Sequence, residues 1–335
     1  MSMPSNYPTL KDISAEAGVS MALASVVLNG KKSRIKASPA TREKILKAAE
    51  KFGYEPDRNA RALRMSRSFL IGVLAYDLSS SFVPKILAGI EKGFLHTDYS
   101  VFPISFRDEV ELTRSLETFR RRKIDGLIII STGFRDFPEG LSMWNRIAKV
   151  FIGCSPHLDC TSSVRTDGFE VGALAADAFL KRGCRKFMYL TYANSRNFTG
   201  WKHTLAAAGV PEENCLAVKT IFDFDESMRK VTAVLKTHPD IDCIFSDSDW
   251  IAAAALKAAE KSGRRVPNDL QLIGVDDSSV CLVTSPPLSS IWQPKFEQGE
   301  TAAELMLRML DEDRRENLVL PVRLTARGSI KPLKE

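Results

Sequence analysis

Residues 9–29 constrain the fold before anything else does. Thr9-Leu10-Lys11-Asp12-Ile13-Ser14-Ala15-Glu16-Ala17 reads as a short amphipathic helix, Gly18 breaks it, and an apolar helical pattern resumes from Met21 to Asn29. Two short helices joined by a tight turn containing glycine make a helix-turn-helix, whose second helix is shaped to enter a DNA major groove. Gly18 supplies a backbone position that a side chain would resist. Thr9 is the expected N-cap of the first helix, with Asp12 where Glu or Gln is usual, and Ser20 that of the second. Ile13, Ala17, Val19, Leu23, Val27 and Leu28 supply the shared apolar face. A surface helical hairpin without function has the same pattern, so charge has to arbitrate.

Residues 1–68 carry 13 Lys and Arg against 6 Asp and Glu, a net of +7, while the whole chain is +6. The positive charge therefore sits almost wholly at the N-terminus, the asymmetry expected of a nucleic-acid footprint. Lys31, Lys32, Arg34 and Lys36 cluster in the loop after the second helix, suited to phosphate contact. A third helix is expected from Thr41 to Phe52, capped by Ser38, opened by Pro39 and ended by Gly53. From Tyr54 to Arg64 follow a helical turn or two with three arginines and little to bury, which would gain order on an anionic partner.

With these residues in place, the chain resembles the lactose-repressor/galactose-repressor family of bacterial transcription regulators over essentially its full length. The resemblance rests on Thr9 to Ile13, Ala17 to Ser20, Val27-Leu28-Asn29, Thr41-Arg42, Ala48-Ala49, Gly53-Tyr54, Pro56, Ala60 and Leu63. It implies DNA contacts from Thr9, Leu10, Ser20, Met21, Ala22, Ser25, Val26, Asn29, Tyr54, Asn59, Ala60, Leu63 and Arg64, to which the charge of the loop, longer than usual in the family, adds Lys31, Lys32 and Arg34. It also implies that paired hinge helices insert Leu63 into the central base step, as an exposed Leu on a basic helix can do. The chain departs from the family at the base-reading positions. Met21, Ala22 and Val26 cannot form bidentate bonds to bases but can touch thymine methyls, which shifts weight to phosphates, hinge and DNA deformability. Asp57 stands where the family has Asn, and a carboxylate facing phosphate is unfavourable.

Residues 69–335 alternate apolar runs with helical patterns. The expected strands are Phe69–Tyr76, Ser100–Phe106, Asp125–Ser131, Val150–Gly153, Phe187–Thr191, Cys243–Ser246 and Leu270–Val275, and the expected helices 82–96, 109–122, 168–182, 199–209, 226–237 and 250–262. Unbroken apolar strands such as Leu127-Ile128-Ile129-Ile130 suit a parallel sheet buried on both faces. The fold class expected is α/β: an all-α helix-turn-helix domain (1–55), a hinge helix and linker (56–68), and a doubly wound effector-binding and dimerisation domain (69–335). The resemblance implies two periplasmic-binding-protein-like lobes, an N-lobe of about 69–160 and 295–325 and a C-lobe of about 165–292 and 328–335, crossed near 155–168, 288–294 and 322–328. Family blocks recur at 123–128, 167–172, 200–201, 266–270, 274–277 and 293–294, and Arg327-Gly328-Ser329 matches the closing strand.

Ligands in open α/β sheets sit beyond the carboxyl ends of the strands. Asp276 and Asp277 follow one expected strand, Asp247, Ser248 and Asp249 another, and Asn194 to Asn197 a third. Such carboxylates and amides favour a sugar or another polar small molecule. The candidates are Phe82, Asp167, Arg196, Asn197, Phe224, Ser248 and Asp276. Ser248 or Asp249, and likewise Asp167, would equally serve as helix caps, and Phe82 and Phe224 as core. Where the family clamps its effector with Arg, three residues before Gly200, this chain has Asn197, with Arg196 beside it.

Composition narrows the classes. No run of 18 apolar residues predicts a membrane span, and residues 1–6 do not resemble a signal peptide. The six cysteines (154, 160, 184, 215, 243, 281) lack paired spacing and read as reduced thiols of a cytosolic protein, and the four histidines form no metal pattern. No catalytic residue, cofactor or metal is expected. The reading is a cytoplasmic, homodimeric regulator, without the heptad tail of tetramers, that binds a pseudo-palindromic operator under control of a sugar-like effector. The competing reading is a small-molecule-binding protein whose N-terminal helices contact protein.

Overall fold

Each helix of the first unit carries its own stop signals. The computed structural model describes residues 8–28, 36–55, 65, 67–76, 78, 82–130, 147–153, 161–191 and 196–333, in two compact units, Met1–Ser68 and Phe69–Glu335. In the first, α1 spans Leu10–Ala17, α2 Met21–Leu28 and α3 Pro39–Phe52. The Asp12 carboxylate accepts from the Thr9 backbone N–H (2.8 Å) and from its hydroxyl (2.7 Å), so Asp12 does what a longer acid does in other capping boxes. Gly18 ends α1 at φ 65°. Ser20 accepts from Leu23 N–H at the head of α2, and Ser38 from Thr41 N–H at the head of α3. Ile13, Ala24, Val27, Ile45, Ala48 and Ala49 close a small core, and Lys51 ties α3 to Glu16 of α1 at 2.6 Å.

The second unit holds two six-stranded sheets. Its elements are β1 Leu70–Ala75, α4 Val83–Phe94, β2 Ser100–Ser105, α5 Glu109–Arg122, β3 Gly126–Ile130, β4 Ala148–Ile152, β5 Thr161–Thr166, α6 Gly168–Leu180, β6 Phe187–Thr191 and α7 Arg196–Ala207. There follow β7 Cys215–Lys219, α8 Phe224–Thr237, β8 Cys243–Ser246, α9 Asp249–Lys261, β9 Gln271–Asp276, α10 Val280–Val283, β10 Ser289–Trp292, α11 Lys295–Glu312, β11 Asn317–Leu320 and β12 Arg323–Thr325. Sheet one runs β11-β5-β4-β3-β1-β2 and sheet two β12-β10-β9-β8-β6-β7. Among the described residues every pairing is parallel except β10 with β12. Leu127 to Ile130 are buried on both faces, as their unbroken apolar run requires.

The chain passes three times between the sheets, twice within the expected ranges and once just ahead of one. β5 extends the first lobe to Thr166, past its expected end near 160, and the first crossing falls at 167, inside 155–168. The second falls at 293–294, after β10. The third falls at 321–322, because β12 already belongs to sheet two. Arg327-Gly328-Ser329 is therefore not the closing strand but the turn after it. The helix α11, absent from the expected helices, completes the first lobe. Its buried side is built of Gln298, Gly299, Ala302, Ala303, Leu305, Met306 and Met309, and so many small residues blur the contrast on which periodicity depends.

Helix pairs meet through glycine in both lobes. A Cβ on Gly89 of α4 would collide with the Phe296 carbonyl of α11, and one on Gly299 with the Ile86 carbonyl of α4. In the second lobe, a Cβ on Gly172 of α6 would strike the Asn197 carbonyl of α7, and one on Gly200 the Phe169 carbonyl of α6. Backbone therefore rests on backbone at both crossings.

Candidate functional site

The outward side of α2 is the first candidate surface. Met21 is 53% exposed and Ala22 is also exposed, while Ser25 and Val26 are half-buried. Ser25 is the one hydrogen-bonding side chain on this helix, which carries no charge. Thr9 is exposed, and Leu10 and Tyr54 are half-buried against the small core. Asn29, Lys31, Lys32, Arg34, Asn59, Ala60, Leu63 and Arg64 lie outside the described residues, as does most of the expected hinge.

The second candidate lies at the carboxyl ends of sheet two. β9 delivers Asp276 and Asp277 at positive φ (99° and 50°), a conformation rare outside glycine that the neighbours hold in place. The Asp276 carboxylate meets Lys295 Nζ at 3.1 Å and accepts from Gln293 Nε2 at 3.0 Å. Both partners follow β10, at the second crossing. Lys295 is 6% exposed, and its ammonium lies 5.1 Å from the Phe82 ring centroid. Gln293 Oε1 accepts from the Thr166 hydroxyl, at the end of β5, at 2.6 Å. Asp277 meets Arg327 at 2.7 Å and accepts from the Thr325 hydroxyl at 3.1 Å, and its carbonyl accepts from Lys85 at 3.4 Å. One polar network thus joins Phe82 and Lys85 of the first lobe, Asp276 and Asp277 of the second, and residues beside all three crossings.

A second cluster forms between β6 and β8, where the order of sheet two reverses and ligands of such sheets bind. Asp247, 6% exposed, accepts from the Tyr189 hydroxyl and from Asn197 Nδ2 at 2.9 Å. Asn197 is held there by the close crossing of α6 and α7. Arg196, largely exposed, reaches to 3.9 Å from Asp167. Asp167 also caps α6, accepting from Phe169 N–H at 3.0 Å. Phe224, opening α8, packs against Trp250 with ring centroids 5.3 Å apart.

The structure thus brings Phe82 to Asp276 through Lys295 and Asp167 to Arg196, while Asn197 meets Asp247. Ser248 is a cap: it is 4% exposed and its hydroxyl accepts from Trp250 N–H at 3.1 Å. Sequence reasoning missed Lys295 and undervalued Gln293 and Asp247. The block Gln293-Pro294 and the position of Asp247 directly after a strand were the available signals.

Asp249 braces the corner that carries Asp276. It is 2% exposed, accepts from the Ser290 hydroxyl at 2.6 Å and from Ser278 N–H at 2.7 Å, and Ser290 Oγ in turn accepts from Asp277 N–H at 3.0 Å. Burial first, and then the neighbouring charge of Asp276, push its carboxyl up to about 7. The folded chain therefore keeps this proton at pH values where the unfolded chain, with a carboxyl near about 4, has lost it. The resulting contribution to stability is complete below about pH 4 and is lost as pH rises through about 7. Between pH 5 and 8 the melting temperature of the native protein should fall relative to that of Asp249→Asn, whose amide does not titrate. Parallel melting profiles would assign the titration elsewhere.

Comparison with known proteins follows the same two-part division. Residues 9–57 match the model described as bacterial regulatory proteins, lacI family, and residues 176–330 the periplasmic binding protein-like domain. The chain is 30% identical over 312 residues to a ribose operon repressor of Bacillus subtilis (strain 168), covering 90% of this chain and 91% of that one. A solved complex of the transcriptional regulator CelR with cellobiose superposes with a TM-score of 0.73 at 26% identity, covering 96% and 99% of the two chains. A LacI family transcriptional regulator from Enterococcus faecium, solved with bound ribose, gives a TM-score of 0.70 at 28% identity, covering 79% and 100%. No described helix is long and apolar enough to cross a membrane.

Proposed function

The chain belongs to the lacI family of bacterial regulatory proteins, and from that premise we propose that it is a transcriptional repressor that reads an operator as a homodimer and is controlled by a sugar-like effector. The observation that carries this reading is the pairing, in one chain, of a capped helix-turn-helix with an exposed α2 face and a larger unit whose lobes are joined by the Asp276–Lys295 network. Linkage between effector and DNA requires a part that adopts two arrangements, and polar groups shared between lobes are suited to it. Asp276, Asn197, Arg196 and Asp167 are the effector contacts under this reading, with Phe82 and Phe224 as aromatic walls. The cellobiose and ribose of the two solved relatives support a sugar. Leu282 (67% exposed) and Val283 (81%) on α10 leave an apolar surface that a second copy would cover. The protein acts by binding rather than by turnover, in the cytoplasm and on the nucleoid.

On DNA, α2 supplies few hydrogen bonds, so Lys31, Lys32, Arg34 and the hinge residues Asn59, Ala60, Leu63 and Arg64 carry the remaining contacts. Selection of duplexes from a random pool by the full-length protein at moderate salt tests the reading. A pseudo-palindrome with a flexible central step is the expected product, and its affinity should fall steeply with salt. A pool with no shared sequence and no salt dependence would favour the competing reading, in which the apolar α2 face around Met21 meets protein. Leu63→Ala should weaken binding to the selected duplex at least about tenfold, while binding to random duplex changes little, because unstacking a base step matters only where that step kinks. Equal losses on both duplexes would remove the wedge role.

A further inference from the structure

At the amino ends of β6 and β8, away from the residues discussed above, two thiols and a carboxylate converge. The sulfurs of Cys184 and Cys243 and a carboxylate oxygen of Asp242 all lie within 4.8 Å of one another. Cys184 is 7% exposed and Cys243 is fully buried, and both are free thiols. Asp242 is only half-buried, which leaves one side of the group open to solvent.

The surroundings are fixed in a way that a plain apolar core does not need. Gln271, 2% exposed, uses its carbonyl oxygen to accept from Lys331 N–H at 2.9 Å. That bond fixes the amide orientation and turns Nε2 onto Cys184 Sγ at 3.0 Å. The Arg182 guanidinium, held by the Lys331 carbonyl at 2.6 Å and the Ala178 carbonyl at 2.9 Å, adds positive charge beside Cys184. The Asp242 carboxylate is oriented by the backbone N–H groups of Arg185 (2.8 Å) and Lys186 (3.1 Å). Oriented ligands with a supporting layer of hydrogen bonds are the pattern of a metal site.

We propose that Cys184, Cys243 and Asp242 form a binding site for a soft divalent cation, zinc or cadmium in class, with a fourth position open to water on the Asp242 side. Two thiolates and a carboxylate suit such an ion, and a tetrahedral centre with ligand bonds of about 2.0–2.3 Å asks the three atoms to close by no more than about 1 Å. Binding releases the two thiol protons to solvent and involves no redox change. The site clamps the head of β8 to the segment before β6, and through Gln271 to the strand-free C-terminal stretch at Lys331.

Titration of the full-length, thiol-reduced protein with Cd²⁺ tests the site. Expected is an ultraviolet sulfur-to-cadmium charge-transfer band that saturates at one ion per chain, a matching mass increase in the native mass spectrum, and reversal by excess Zn²⁺. Cys184→Ser with Cys243→Ser should abolish the band, and Cys215→Ser, on β7, should leave it unchanged. Gln271→Met keeps all three ligands and should weaken Cd²⁺ binding about 10–100-fold. Asp242→Asn, which spares both thiols, should weaken it in the same range, and it serves if the serine variants do not fold. No band in the native protein, or a band undiminished in the double serine variant, would overturn the assignment.

Discussion

Gly200→Val should be among the most damaging single substitutions in this chain. The new side chain has to enter where α7 rests on the Phe169 carbonyl of α6. Overpacking of a closed site costs typically about 1–3 kcal/mol, and here no flexible side chain can yield, so about 3 kcal/mol or more is expected. The alternative is for the helices to separate, and that carries Asn197 away from Asp247, now 2.9 Å apart. The variant should therefore melt at least about 6 °C lower, at roughly 2–4 °C per kcal/mol for a unit of this size. Ala206→Val, on the exposed side of the same helix, should change stability by no more than about 0.5 kcal/mol. Equal melting temperatures for Gly200→Val and Ala206→Val would mean that the crossing is looser than the backbone contact implies.

Lys295→Met should be comparably severe for an electrostatic reason. It removes the cation that lies 3.1 Å from Asp276 and leaves the carboxylate, 14% exposed, with Gln293 as its main support. Removing one member of a buried ion pair costs about 3–5 kcal/mol, because the remaining charge stays desolvated. The ammonium's contact with the Phe82 ring is lost as well. Asp276→Asn in the same chain should recover most of the loss, since the amide keeps the positive-φ corner and the bond to Gln293 without a charge to solvate. Denaturant midpoints of the two single variants and the double variant give the coupling directly. Additive losses would show that the pair is solvated and contributes little.

How much of this was legible depends on whether a residue's partner is near it in the chain. Gly18, Ser20 and Ser38 announce turns and caps because their physics is local, and the structure finds each in that role. The apolar run at Leu127 to Ile130 announces a buried parallel strand for the same reason. β5 was not legible: Ser162 and Ser163 are fully buried hydroxyls in a strand, tolerable only because Glu316 N–H and Asn317, some 154 residues on, meet them. Asp276 could be found as the residue after a strand, but Lys295 could not, because only the folded crossing brings it there. Ser248 had two local readings, cap and contact, and the backbone geometry chose the cap. The shift of the third crossing has a similar origin. Three residues of β12 are too few to show a period, so the chain's move to sheet two could be dated only from its antiparallel pairing with β10.

The triple passage between the sheets also bears on how the protein is made. Sheet one acquires its outer strand, β11, only at 317–320, and sheet two its own, β12, at 323–325. Until α11 emerges, Gly89 of α4 has no helix to rest on, and until β11 emerges the serines of β5 face open solvent. A ribosome must therefore deliver nearly the whole chain before either lobe can close. The larger unit is expected to complete its folding late rather than half by half, and a chain ending ahead of residue 317 would lack the outer strand of both sheets.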